Sequence, residues 1–171
     1  EATGARGSVE HAQLMKREDV PRLAALGLRA SVQPHHLIDD RGVTDVCWSD
    51  RADRCFMFRT MLDAGVDVVL GSDAPVAPLD PWLAIAGAVH RAAGDDDPWH
   101  PQESITAQEA LAASVDGLGT VHEGMPADLA LLHADPLDAS GSSREQAARL
   151  RAMTVAATWV GGEAIHGDLD A

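Results

Sequence analysis

The chain has 171 residues, enough for one domain with a hydrophobic core or for part of a larger one. It is 46% hydrophobic and 23% charged, a globular composition, and 27 acidic residues against 13 basic ones give a formal net charge of −14. That balance excludes a phosphate-backbone binder, which needs a basic face; no apolar run approaches the roughly 18–20 residues of a membrane span. Two cysteines, Cys47 and Cys55, make neither a disulfide framework nor a zinc ribbon. Residues 1–7 carry no signal-peptide apolar region and no initiator Met. The expectation is a soluble, cytoplasmic chain that is a portion of a longer one.

Residues 8–14 open with a short strand. Asp19 is placed to cap a helix that tolerates Pro21 in its first turn and ends at Gly27. Residues 28–33 read as a second strand, stopped by Pro34, and the polar, aperiodic stretch 35–50 reads as a long loop. From 51 to 64, Ala52, Cys55, Phe56, Arg59 and Leu62 fall at helical spacing, and Gly65 closes that helix. Residues 66–70 have the length and β-branching of a strand buried on both faces, as in a parallel sheet. Strand, helix, strand, helix, strand is a βαβ series.

Asp80 is an N-cap with Pro81 at the first helical position, and Trp82, Ile85, Ala86, Val89 and Ala93 mark one face of that helix. Residues 94–98 form a loop, and Thr106 with Glu109 is a capping box for a helix reaching about Ser114. Beyond Gly119 the character changes. Residues 129–132 and 153–160 read as strands, and Gly161-Gly162 turns the second into 163–166 as a hairpin. Residues 136–150 read as a polar loop running into a short helix. The fold class expected is α/β, with an α/β part over 1–118 and a β-rich segment over 119–171.

Three polar sites stand at the carboxyl ends of the expected parallel strands: Glu10-His11, Gln33-Pro34-His35-His36 and Gly71-Ser72-Asp73. Ligands and catalytic groups of α/β barrels and open parallel sheets collect at that edge. A lone histidine after a strand is ordinary. Histidine, histidine and aspartate on three successive strands is a narrower pattern, because imidazole nitrogens and a carboxylate oxygen are what a catalytic divalent metal takes.

The series Val9-Glu10-His11-Ala12-Gln13, then Ser31-Val32-Gln33-Pro34 with His36, then Gly71-Ser72-Asp73-Ala74-Pro75-Val76 resembles the amidohydrolase superfamily. The branch is amidohydrolase family 3, which includes N-substituted formamide deformylase-like proteins. The match continues through Asp80-Pro81, Arg91, Thr106 with Glu109-Ala110-Leu111, Glu123-Gly124-Met125-Pro126-Ala127-Asp128-Leu129 and Thr158-Trp159-Val160-Gly161-Gly162-Glu163. The resemblance implies a metal-dependent hydrolase acting on non-peptide carbon–nitrogen bonds of a small amide-like substrate. Its fold would be a (β/α)8 TIM-type barrel with a β-sandwich, of which this chain supplies about three βα units and a sandwich piece.

By the same resemblance His11 ends barrel strand six and binds the metal, most simply zinc. His36 follows strand seven and faces the substrate, with its neighbour His35 competing for that place. Asp73 ends strand eight, lies at the metal and shuttles the proton. The His-x-His of the first barrel strand, the bridging carboxylate or lysine and the fifth-strand histidine have no counterpart here, and Ser8 stands where a second arginine is common. Lys16 follows the Glu-His motif and cannot be the bridging group. The partners expected are therefore the N-terminal part of the same protein and, because three barrel strands leave unpaired edges, a second copy. A second reading is a non-catalytic binding or regulatory protein on the same fold.

The remaining residues of note have ordinary expectations. Glu10 is expected in a salt bridge outside the barrel, Arg91 in a structural ion pair, and His90, His100, His122, His133 and His166 at the surface or a helix edge. The Asp95-Asp96-Asp97 run reads as a solvated loop, and Trp48 and Trp99 as loop residues that either line a pocket or pack.

Overall fold

A computed structural model describes residues 4, 6–116 and 121–167. Three strands, β1 (Ser8–Glu10), β2 (Arg29–Val32) and β3 (Asp67–Leu70), pair in parallel in the order β1-β2-β3. Val9 stands beside Ala30, and Ala30 beside Val68. Parallel neighbours need crossover connections, and helices supply them. Between β1 and β2 runs α1 (Val20–Leu26); between β2 and β3 run α2 (His36–Cys47) and α3 (Phe58–Asp63).

Helix α1 begins with Pro21 in its first turn and ends at Gly27, whose φ of 63° is the left-handed conformation that glycine adopts at no steric cost. Asp19 does not cap it. A 3₁₀ turn over Arg17–Asp19 runs straight into the helix, so Asp19 already has helical torsions, and its carboxylate accepts from Arg22 Nη1 at 2.7 Å instead.

The first strand is short, as expected; it is three residues long because the chain turns sharply at His11 and Ala12, both at positive φ. Three other expectations for this half change. The stretch 35–50 is largely the twelve-residue α2 rather than a loop. It escapes the periodic pattern because it buries only His36, Leu37 and Thr44, leaving Val43 and Val46 exposed. The single helix expected over 51–64 is broken into a 3₁₀ turn at Ala52–Arg54 and α3. Between them Leu14 bridges Cys55, and the Phe56 N–H donates to the Gln13 carbonyl at 2.9 Å; this tertiary pairing overrides helical spacing. Finally, β3 is buried on one face only. Ala30, Val32 and Val68 are buried on the helix side, whereas Glu10, Ser31 and Val69 on the other side are not.

Helix α4 (Pro81–His90) is the centre of the core. The Asp80 carboxylate accepts from the Trp82 N–H at 2.9 Å, and all of α4 except Pro81 and Leu83 is buried. A helix apolar all round belongs inside. Gly87 permits its close approach to the β2 end: a Cβ there would stand 3.0 Å from the Pro34 carbonyl oxygen. His90, at the end of α4, is buried and not at the surface; its ring nitrogens meet Ser143 Oγ at 3.0 Å and the Asp96 carbonyl at 3.3 Å. Burial holds it below the ordinary histidine range.

Arg91 follows at φ 59° and is fully buried. The expected ion pair is absent among the described residues. Its Nε donates to the Trp99 carbonyl at 2.8 Å, its Nη1 to the Phe56 carbonyl at 2.9 Å, and its guanidinium lies 5.2 Å from the Phe58 ring centroid. Burial without a bonded carboxylate pushes it down to about 10. The nearby Glu103 carboxylate is committed to the Thr60 N–H and hydroxyl.

Helix α5 (Ala107–Ala112) carries the expected capping box between Thr106 and Glu109, and α6 (Ser143–Arg151) a second between Ser142 and Glu145. Arg59 of α3 grips Glu109 through both carboxylate oxygens, at 3.0 and 2.8 Å. The Leu70 N–H, at the end of β3, donates to the Ala113 carbonyl at 2.9 Å. A second sheet, β4 (Leu129–Leu132), β5 (Val155–Val160) and β6 (Glu163–His166), is antiparallel in the order β4-β5-β6. Gly161 and Gly162, both at positive φ, make the β5–β6 turn. Helix α6 joins this segment to the first half by burying Ala147 and Leu150, and Arg151 donates to the Ala92 carbonyl at 2.6 Å. Gly119 and the boundary expected at 118/119 lie outside the described residues. No helix among the described residues is long and apolar enough to cross a membrane.

This core sets two expectations for stability. Arg91→Lys keeps the charge but cannot reach both carbonyls, so denaturant unfolding should give a loss of about 2–3 kcal/mol. Glu109, held down at about 2 by Arg59 and the Thr106 cap, contributes stability that is complete above its ordinary 4.5 and is lost as pH falls toward 2. Thermal midpoints measured across that window should fall less steeply in Glu109→Gln than in the parent.

Candidate metal centre

The site grows from the ends of β1, β2 and β3. Beyond Glu10 the His11 N–H donates to the Ser31 carbonyl at 2.8 Å, and the Ala12 N–H returns to Glu10. With φ of 65° and 43° at His11 and Ala12, the chain reverses and lifts the imidazole over the sheet edge. After β2, the Gln33 carbonyl accepts from the His36 N–H at 3.1 Å, which starts α2. After β3, the Gly71 N–H donates to the Val32 carbonyl at 2.9 Å and continues the pairing by one residue. Asp73 then takes φ 56° in a turn closed by the Val76 N–H on its carbonyl. Left-handed torsions on non-glycine residues cost about 1–3 kcal/mol each and concentrate where function demands a fixed side chain. Two of the three turns carry that cost.

These turns bring His11, His36 and Asp73 together, with one donor atom from each lying within 4.8 Å of the others. His11 Nε2 is 3.8 Å from Asp73 Oδ2, and the His11 and His36 rings stack at 5.7 Å between centroids, 24° apart. The side chains of His11 and Asp73 are 45% and 41% exposed, and His36 is 8% exposed. His36 Nε2 is buried with no hydrogen-bond partner among the described residues. An orphaned buried polar atom is costly, and no described residue satisfies it. Two imidazoles and a carboxylate are a borderline-soft donor set that suits zinc and its neighbours. The residues present fit a divalent metal.

His35 is not part of this cluster; it precedes α2 and is half-buried. Glu10 makes no salt bridge among the described residues. It sits on the open face of the sheet, where the Ser31 and Ser8 hydroxyls hold its carboxyl below the usual range. Gln33, which stands in the second polar strand-end motif without a role of its own, is buried, its Nε2 donates to the Ser31 carbonyl at 3.3 Å, and its Oε1 has no partner among the described residues. Its place between a strand end and the Pro34-His35-His36 turn was visible, but its burial was not.

The other candidates lie elsewhere. Cys47 is exposed and Cys55 buried, both free, and burial pushes the Cys55 thiol up. Trp99 is packed inside, donating to Asp45 at 3.0 Å, while Trp48 is exposed. Asp95 and Asp97 are exposed and face Arg144 at 4.0 and 3.7 Å.

Known proteins resemble this chain over most of its length. The chain is 33% identical over 174 residues to Protein LONG AFTER FAR-RED 3 of Arabidopsis thaliana, covering 94% of this chain and 29% of that protein. It is 32% identical over 150 residues to the N-substituted formamide deformylase of Arthrobacter pascens, covering 80% of this chain and 28% of the relative. An uncharacterized metal-dependent hydrolase from Pyrococcus horikoshii superposes with a TM-score of 0.60 at 28% identity, over 67% of this chain and 24% of that one. Atrazine chlorohydrolase TrzN of Arthrobacter aurescens complexed with zinc shares the fold, with a TM-score of 0.58 at 21% identity over 94% of this chain and 36% of that one. The chain thus spans less than a third of the length of the two sequence relatives. The model of the Amidohydrolase family matches residues 1–166. The chain belongs to amidohydrolase family 3.

Proposed function

We propose that this chain is the C-terminal portion of a metal-dependent hydrolase that cleaves non-peptide carbon–nitrogen bonds, such as those of amides or formamides. The observation that carries the reading is the juxtaposition of His11, Asp73 and the orphaned His36 Nε2 at the carboxyl ends of three parallel strands. In this reading β1, β2 and β3 are the last three strands of a (β/α)8 barrel, formed within residues 1–118, and residues 119–171 belong to a β-sandwich. The upstream strands and ligands come from the remainder of the same protein, consistent with the share of its relatives that the chain covers.

His11 and Asp73 are the residues that hold the metal. A divalent metal, zinc by preference, supplies Lewis acidity that brings the pKa of a water toward about 7. The chain's own groups do the rest. An Asp73 carboxylate oxygen takes the proton of the attacking water and returns it to the departing amine nitrogen, a general base turned acid. His36 points its free ring nitrogen at the carbonyl oxygen, where negative charge develops during attack. Its burial excludes water and strengthens that interaction.

Two measurements on the complete protein test this. His11→Ala should lower the zinc content found by elemental analysis; unchanged content and activity would remove His11 from the site. Asp73→Asn keeps size and shape while removing the basic oxygen. With an N-substituted formamide as substrate, it should cost at least about 10²-fold in kcat with the fold intact, and near-parental turnover with metal bound would sink the assignment.

A further inference from the structure

We infer that Gln33 is a positioning residue that sets the three donor-bearing turns in register, an inference that rests on the metal-dependent reading above. Gln33 bonds to the backbone of two of the three turns and lies near the approach to the third. Its main-chain carbonyl accepts from the His36 N–H at 3.1 Å. Its side-chain Nε2 donates at 3.3 Å to the Ser31 carbonyl, the same oxygen that accepts the His11 N–H at 2.8 Å. The amide also lies near Gly71, two residues ahead of Asp73, where a Cβ would stand 4.0 Å from Nε2.

Stability does not account for a glutamine here. The Ser31 carbonyl is already satisfied by His11, so the 3.3 Å bond from Nε2 is an addition rather than a rescue. Against that bond stands Oε1, buried with no partner among the described residues, a penalty that an apolar side chain of the same shape does not carry. A buried amide that costs the fold and sits where the backbone of β1, β2 and β3 leads into the three turns acts on geometry. Groups that hydrogen-bond ligand side chains tune metal affinity by roughly 10–100-fold; Gln33 acts through the backbone that carries them, and the lower end of that range is expected.

The test is Gln33→Met, similar in length and without polar atoms, with Gln33→Leu as a second apolar variant should Met fail to fold. Both are made in the complete protein, stripped of metal and titrated with cobalt(II). The expected result is binding weakened about tenfold or more, an altered visible absorption of the bound cobalt, and a metal-free thermal midpoint equal to or above the parent's. Parental affinity with a parental spectrum would overturn the inference, as would a lowered midpoint with affinity unchanged. His11→Ala is titrated alongside. If it takes up cobalt as the parent does, His11 is no ligand and the site on which this inference rests fails; if it loses cobalt while Gln33→Met does not, only the role of Gln33 fails.

Discussion

In β1, β2 and β3 the chain runs in the same direction three times, with Val9, Ala30 and Val68 side by side. Parallel pairing dictates that all three strands deliver their next residues to the same side of the sheet. Glu10, Val32 and Leu70 all hand the chain on at one edge, and the residues that leave that edge include His11, His36 and Asp73. The Ser31 carbonyl is the meeting point. It accepts from the backbone of His11 and the side chain of Gln33, so β2 carries part of the geometry of its neighbour. A slip of one residue in β2 would turn Ala30 and Val32 out of the core and dismantle the site in the same step.

A second layer of polar bonds fastens the loops around that edge to the core. Arg91 donates to the Phe56 carbonyl, the Phe56 N–H donates to Gln13, and Gln13 lies two residues beyond His11. Gln13 in turn donates from Nε2 to the Asp40 carboxylate at 2.6 Å, reaching α2, whose first residue is His36. A fully buried guanidinium that bonds carbonyls rather than a carboxylate is costly to desolvate. Its contribution is that irregular segments, short of helix or strand partners, have their main-chain oxygens satisfied from one rigid fork.

Local signals in the sequence carried much of this. Gly27 and Gly65 as stops, Asp80-Pro81 and Thr106 with Glu109 as starts, and the Gly161-Gly162 turn all act within a few residues, and each appears where the pattern put it. The strand-end motifs likewise placed His11, His36 and Asp73 at one edge, because period and direction are enough to specify an edge. The features that stayed hidden were decided at a distance. Helix α2 has no apolar stripe, since Val43 and Val46 face outward; the break at Phe56 depends on pairing with Gln13 and Leu14, far upstream in the chain. His90 and Gln33 showed no sign of burial, because a polar residue's burial is fixed by partners such as Ser143 and Ser31 that linear order does not reveal.

Gly87 gives the fold an asymmetry between robustness and use. Replacing an interior helical glycine with alanine is among the commonest routes to a sturdier protein, worth about 1 kcal/mol. In α4 that added methyl would press on the Pro34 carbonyl, the backbone that leads directly into His35 and His36. The same methyl would stand 3.6 Å from the His35 main-chain nitrogen, one residue ahead of His36. The helix at the centre of the core therefore has a position at which the usual gain from alanine is opposed by the backbone that leads into His36.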